Sequence, residues 1–116
     1  MPRPSRSHSI LSDAALGSLS SLGARLKEAR LRRNWTQKQT ADKTGLSESS
    51  IKKVEAGSAH ITVSAYLALL DVFAQSTALD RVMAPGQDTL GEALARSNTR
   101  SRARQPRPVH NDEWEI

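Results

Sequence analysis

Apolar residues in the central part of the chain recur at helical rather than alternating spacing. Leu22, Leu26 and Ala29 fall at i, i+4 and i+7, which is one face of a helix running to about Arg33. Thr36-x-x-Gln39 follows, a pattern in which the threonine hydroxyl and the glutamine side chain each satisfy a backbone amide at a helix start. Gly45 ends this second helix, because glycine enters the left-handed conformation without a Cβ penalty. Leu46-Ser47 opens a third, with Ser47 as N-cap and Leu46 facing Ile51 as a hydrophobic staple, and Gly57 closes it. Ile61, Thr62 and Tyr66 repeat that arrangement for a fourth helix, which turns Leu67, Leu70 and Phe73/Ala74 inward. Thr77-x-x-Asp80 predicts a short fifth helix stopped by Pro85-Gly86, and Thr89-x-x-Glu92 predicts a sixth. No segment alternates as a half-buried strand does, so the class is all-α.

Composition narrows this further. The 116 residues allow one small domain plus tails. Trp35, Trp114, Tyr66 and Phe73 are the only aromatic residues, so the core is small and aliphatic. With no cysteine, disulfide frameworks, zinc fingers and thiol catalysis are excluded, and a reducing, cytoplasmic setting is expected. The longest apolar stretch, around Ala65 to Ala74, is broken by Asp71 and is too short to cross a bilayer. Arg3 and Arg6 precede a loosely apolar stretch as in a signal peptide, but Ser12 and Asp13 interrupt it, and residues 1–18 are read as a disordered tail.

Charge is concentrated in one place. Residues 22–57 carry nine Lys/Arg against four acids, whereas residues 58–95 carry one against four. The basic block coincides with the best-patterned helices, so it is a folded basic surface, of the kind that binds nucleic acid. Arg96, Arg100, Arg102, Arg104 and Arg107 lie among Ser, Asn, Gln and two prolines, and the chain closes on acids around Trp114. Residues 96–116 are therefore expected to be a flexible arm.

The helices at 36–44 and 47–56 are joined by two or three residues around Gly45, which matches a helix-turn-helix unit. Thr36-Gln37-x-x-x-Ala41-x-x-x-Gly45-Leu46-Ser47-x-x-x-Ile51-x-x-Val54-Glu55-x-Gly57 resembles the Cro/C1-type (Xre) helix-turn-helix family. Leu22-Gly23-x-Arg25-Leu26-x-x-Ala29-Arg30 extends the match upstream, to roughly residues 19–83. The resemblance implies a five-helix, lambda-repressor-like DNA-binding domain over 19–84 and a double-stranded palindromic operator as partner. A single domain this small makes few phosphate contacts, so a homodimer is expected, with the short helix at 85–95 contributing to dimerisation. One departure is Thr40, where the family prefers leucine; a hydroxyl there weakens the packing of the second helix, and Trp35 is placed to cover the gap.

Roles follow from the resemblance, residue by residue. Gln37 would contact a phosphate at the second helix's N-terminus, where free amides and the helix dipole also favour an anion. The third helix would enter the major groove with Ser47, Glu48, Ser49, Lys52 and Lys53 outward, while Ile51 and Val54 face the core. Any one of these lysines in isolation reads as an ordinary solvated face; the complete pattern reverses that reading. Arg30 and Glu55 match an internal ion pair of the family, tying the first helix to the third. His60, just before the fourth helix, would touch DNA backbone.

Other chemistry finds no support. His8, His60 and His110 sit in separate segments without partners at ligand spacing, so no metal is expected, and neither a P-loop nor a GxGxxG pattern appears. No cofactor and no enzymatic activity are expected. Leu79, Val82, Met83, Leu90 and Leu94 form a candidate self-association surface. A single small domain of this type with a basic arm ending Asn111-Asp112-Glu113-Trp114-Glu115-Ile116 is similar to HipB-type antitoxins, whose partners are HipA-type serine/threonine kinases. That resemblance makes Trp114 a candidate partner-binding residue and implies a cytoplasmic, nucleoid-associated repressor of its own operon; the alternative is a stand-alone regulator with no toxin partner.

Overall fold

The computed structural model describes residues 10–102. Its elements are α1 (Asp13–Arg32), α2 (Gln37–Thr44), α3 (Glu48–Glu55), α4 (Val63–Val72), a 3-10 turn at Ala78–Arg81, and α5 (Thr89–Arg102). The class is all-α, and no strand occurs among the described residues. The chain parts into two units between Ala78 and Leu79.

In the first unit, α1 starts inside the segment expected to be a tail. Ser12 caps it, its hydroxyl accepting the Ala15 N–H at 3.1 Å, and Asp13 in the first turn meets the positive end of the helix dipole. Leu19, seven positions beyond the Ser12 cap and in the apolar stripe of Leu22 and Leu26, packs against the core. At α2, both bonds of the Thr36/Gln39 capping box are made, at 2.9 and 3.0 Å. Ser47 caps α3 by accepting the Ser50 N–H at 3.1 Å. Thr62 occupies the N-cap of α4, yet its hydroxyl makes no capping bond.

Three helices end in the same way, with a left-handed residue whose N–H, and that of its successor, return to the last turn. Asn34 does this for α1, with Asn34 N–H bonded to Leu31 O and Trp35 N–H to Arg30 O. Gly57 does it for α3, through Val54 O and Lys53 O. Ala74, at φ +61°, does it for α4, through Asp71 O and Leu70 O. Ala74 was expected to face inward; it lies instead past the helix end and is exposed, while Phe73 is buried.

The core consists of Leu26, Ala41, Ile51, Val54, Ala65, Tyr66, Leu69 and Phe73, with Leu22, Ala29, Trp35, Leu46 and Ile61 packed around it. Helix α3 packs against α1, α2 and α4, so three elements fix its orientation. Thr40 is fully buried, but its hydroxyl donates to Thr36 O at 2.9 Å, so no polar group is orphaned by the departure from leucine. Trp35 stacks on Phe73, ring centroids 5.7 Å apart. The Arg33 guanidinium lies 4.8 Å from the Phe73 ring centre, and the Lys43 ammonium lies 4.5 Å from the centre of Trp35.

The second part of the chain differs from expectation at three points. Thr77-x-x-Asp80 yields only the 3-10 turn at Ala78–Arg81. The cap of α5 is Asp88 rather than Thr89: the Asp88 carboxylate accepts the Gly91 N–H at 3.0 Å, and Glu92 reaches back to the Gly86 N–H at 2.8 Å. Aspartate is the stronger cap and shifts the frame by one residue. The helix then continues past Ala95, where the arm was expected to begin, to Arg102. Among the described residues, no helix is long and apolar enough to cross a membrane.

Candidate nucleic-acid interface

Three residues meet where α1, α2 and α3 converge. Arg30, 6% exposed near the end of α1, donates Nε to Glu55 Oε2 at 2.5 Å and Nη2 to Glu55 Oε1 at 3.1 Å. Its remaining Nη1 donates to Trp35 O at 2.8 Å, which fixes the turn between α1 and α2. Buried charges persist only when paired and hydrogen-bonded, and this fork-to-carboxylate geometry satisfies both requirements. Gln37 adds a third arm, donating Nε2 to Glu55 Oε1 at 3.1 Å. That bond was not foreseen from the sequence, because Gln37 and Glu55 lie eighteen positions apart on different helices and neither belongs to an apolar stripe. Of Gln37's two amide hydrogens one is committed to Glu55, leaving the other for an outside acceptor.

Helix α3 has two distinct faces. Ile51 and Val54 are fully buried and Glu55 is nearly so, whereas Glu48, Ser49, Lys52, Lys53 and Ala56 are exposed. Neither Lys52 nor Lys53 forms an ion pair among the described residues. Ala56 joins the outward row at i+7 from Ser49, a member the helical period itself could have supplied. Ser47 lies at the edge of this row; its hydroxyl accepts the Ser50 N–H and donates to Ser50 Oγ at 3.0 Å, so it is occupied in capping.

Beyond α3, Tyr66 anchors the following loop by donating its hydroxyl to Ser58 O at 2.7 Å. Burial pushes the pKa of that hydroxyl up, so the donated proton is held more tightly than in an exposed tyrosine. Ser58 Oγ accepts the His60 N–H at 3.0 Å, and His60 is exposed at the approach to α4. Trp114 lies outside the described residues.

The backbones of α1 and the end of α3 touch. A Cβ on Gly23 would lie 2.5 Å from Val54 O and 2.7 Å from Gly57 N, and one on Gly57 would lie 2.5 Å from the Ser20 Cα. Two glycines therefore set how closely the helix with the exposed polar face is seated on α1. Two short helices joined through Gly45 at φ +77°, the second held on three sides and exposing a polar face, form a helix-turn-helix. Searches of curated proteins and of solved structures returned no match. A family model described as a helix-turn-helix domain matches residues 21–82, more than half of the sequence, and the chain belongs to that family.

Proposed function

We propose that this protein is a sequence-specific DNA-binding repressor that places α3 in the major groove of an operator. The observation that carries the reading is the division of α3 into a fully buried apolar face and an exposed face bearing Glu48, Ser49, Lys52 and Lys53. Lysine supplies donors for guanine O6/N7. Gln37 grips a phosphate with its second amide hydrogen, helped by the amides at the start of α2, and His60 adds a backbone contact. Helix-turn-helix domains of this kind are typically non-enzymatic, and no catalytic role is assigned.

The repressor acts as a homodimer on a palindromic site, since one domain of this size makes few phosphate contacts. Leu79, Val82, Met83, Leu90 and Leu94, 40–72% exposed, are the residues proposed to self-associate. The DNA-binding domain is taken as residues 19–84, followed by the dimerising helix and a partner-binding arm. Its cellular setting is the cytoplasm, on the nucleoid. The closing Asn111–Ile116 segment, with Trp114 among acids, supports a HipB-like antitoxin that docks Trp114 on a HipA-type kinase.

Selection of duplexes from a randomised pool, followed by footprinting, tests the DNA reading: a palindromic protected site is expected, and failure to enrich any sequence overturns it. Sedimentation at micromolar concentration showing only monomer would refute the dimer. Trp114→Ala should leave DNA affinity intact and weaken binding to a kinase encoded beside this gene by about 2 kcal/mol or more. Equal binding of that kinase by a chain ending at Ala95 would overturn docking through Trp114, whereas no binding of the kinase by the full chain would favour the stand-alone regulator.

A further inference from the structure

The two lysines of α3 are not equivalent. At about 100° per residue, and with fully buried Ile51 as the inward pole, Ser49 and Lys53 each lie about 160° away on opposite sides, straddling the outward pole. Ala56 lies about 140° away beside Ser49, whereas Lys52 lies only about 100° away and shares its flank with Glu48, one turn earlier. The burial of Val54 and Glu55 on either side of Ile51 confirms that Ile51 marks the inward direction. Lys53 is thus the outermost charged side chain, and its neighbours at the pole, Ser49 and Ala56, are too small to hold the helix away from base edges.

We propose that Lys53 is the residue of α3 that specifies sequence, donating to the O6 and N7 of a guanine, while Lys52 holds a backbone phosphate. The assignment rests on α3 being the recognition helix and adds which side chain reads and what it reads. An ammonium has three donors and no acceptor, so it matches the two adjacent acceptors of guanine, whereas adenine sets a donor beside its N7. A side chain on the flank of a groove-docked helix faces the sugar-phosphate wall instead of the floor. Glu48 on the same flank partly offsets the charge of Lys52 one turn away, as fits a positioning contact better than a base contact.

The test uses the full chain and the best duplex recovered from a randomised pool, with each guanine replaced in turn by 7-deazaguanine, which lacks N7. Both lysines are exposed and contribute nothing to the core, so Lys52→Ala and Lys53→Ala should melt as the parent does. At one guanine the replacement should weaken binding of the parent about tenfold, and Lys53→Ala should bind both duplexes equally. Lys52→Ala should keep the full discrimination while its salt dependence becomes shallower by about one unit of slope. The proposal is overturned if Lys52→Ala abolishes the discrimination, or if no guanine is sensitive although the duplex is bound specifically. Failure to recover any preferred duplex would instead remove the DNA-binding reading on which it rests, and the proposal with it.

Discussion

Gln37 donates its side-chain amide to Glu55 at 3.1 Å, placing a residue at the start of α2 on the same carboxylate that neutralises Arg30. The site proposed to grip DNA and the ion pair that joins α1 to α3 are consequently one hydrogen-bonded unit. Folding of the three helices sets the direction of the Gln37 amide before any DNA arrives.

The first expectation concerns this unit. Arg30 and Glu55 side chains are 8% and 4% exposed, so Glu55→Ala strands a buried guanidinium and should cost about 3 kcal/mol or more in urea unfolding. Arg30→Met combined with Glu55→Met should cost less than the sum of the two single changes, because no charge is left uncompensated. If Arg30→Ala melted as the parent does and still failed to bind DNA, Arg30 would be a DNA contact instead.

Gly23 and Gly17 share α1 but should respond oppositely to alanine. A Cβ at Gly23 meets only backbone atoms of α3 and its C-terminal turn, none of which can rotate away, and Gly23→Ala should cost about 2–3 kcal/mol. Nothing lies within 4 Å of a Cβ at Gly17, so Gly17→Ala should stabilise the helix by about 0.5–1 kcal/mol. Denaturant midpoints of the two variants check both signs.

Ala74 carries a left-handed φ of +61° that glycine adopts without strain. Ala74→Gly should raise stability by about 0.5–1 kcal/mol, after the added freedom of glycine in the unfolded chain is offset. A lower melting temperature would contradict the assigned end of α4.

Tyr66 predicts a pH dependence. Burial raises its pKa above 10.0, so the folded state holds the phenolic proton more tightly than the unfolded chain does. The resulting stability is complete below pH 10 and is lost as pH rises through the folded pKa. Tyr66→Phe should cost about 1 kcal/mol at neutral pH, through the lost bond to Ser58 O, and should flatten the decline in stability above pH 10. An unchanged alkaline decline would place the proton release elsewhere.

Local signals in the chain were readable where one residue type has one physical role. Thr36/Gln39, Gly45, Ser47 and Gly57 mark helix ends through bonds within four residues or through a left-handed φ, and the structure has all four. Ala74 hides the same kind of helix end, because alanine advertises no turn and the terminus is decided by how α4 packs. Asp88 was passed over for Thr89, since adjacent cap residues compete and only the stronger acceptor wins. The early start of α1 was obscured because its first turns carry serine, glycine and alanine with little apolar contrast. The Arg30–Glu55 pairing was reached through a family pattern, whereas the Gln37 arm depends on tertiary geometry that no spacing encodes.

Whether α3 reads DNA is decided by titrating one selected duplex with the parent and with the Lys52→Ala, Lys53→Ala double variant at several salt concentrations. The double variant should melt as the parent does, bind at least about tenfold more weakly, and show a shallower salt dependence. Unchanged affinity and slope in a folded double variant would show that α3 is not the recognition helix.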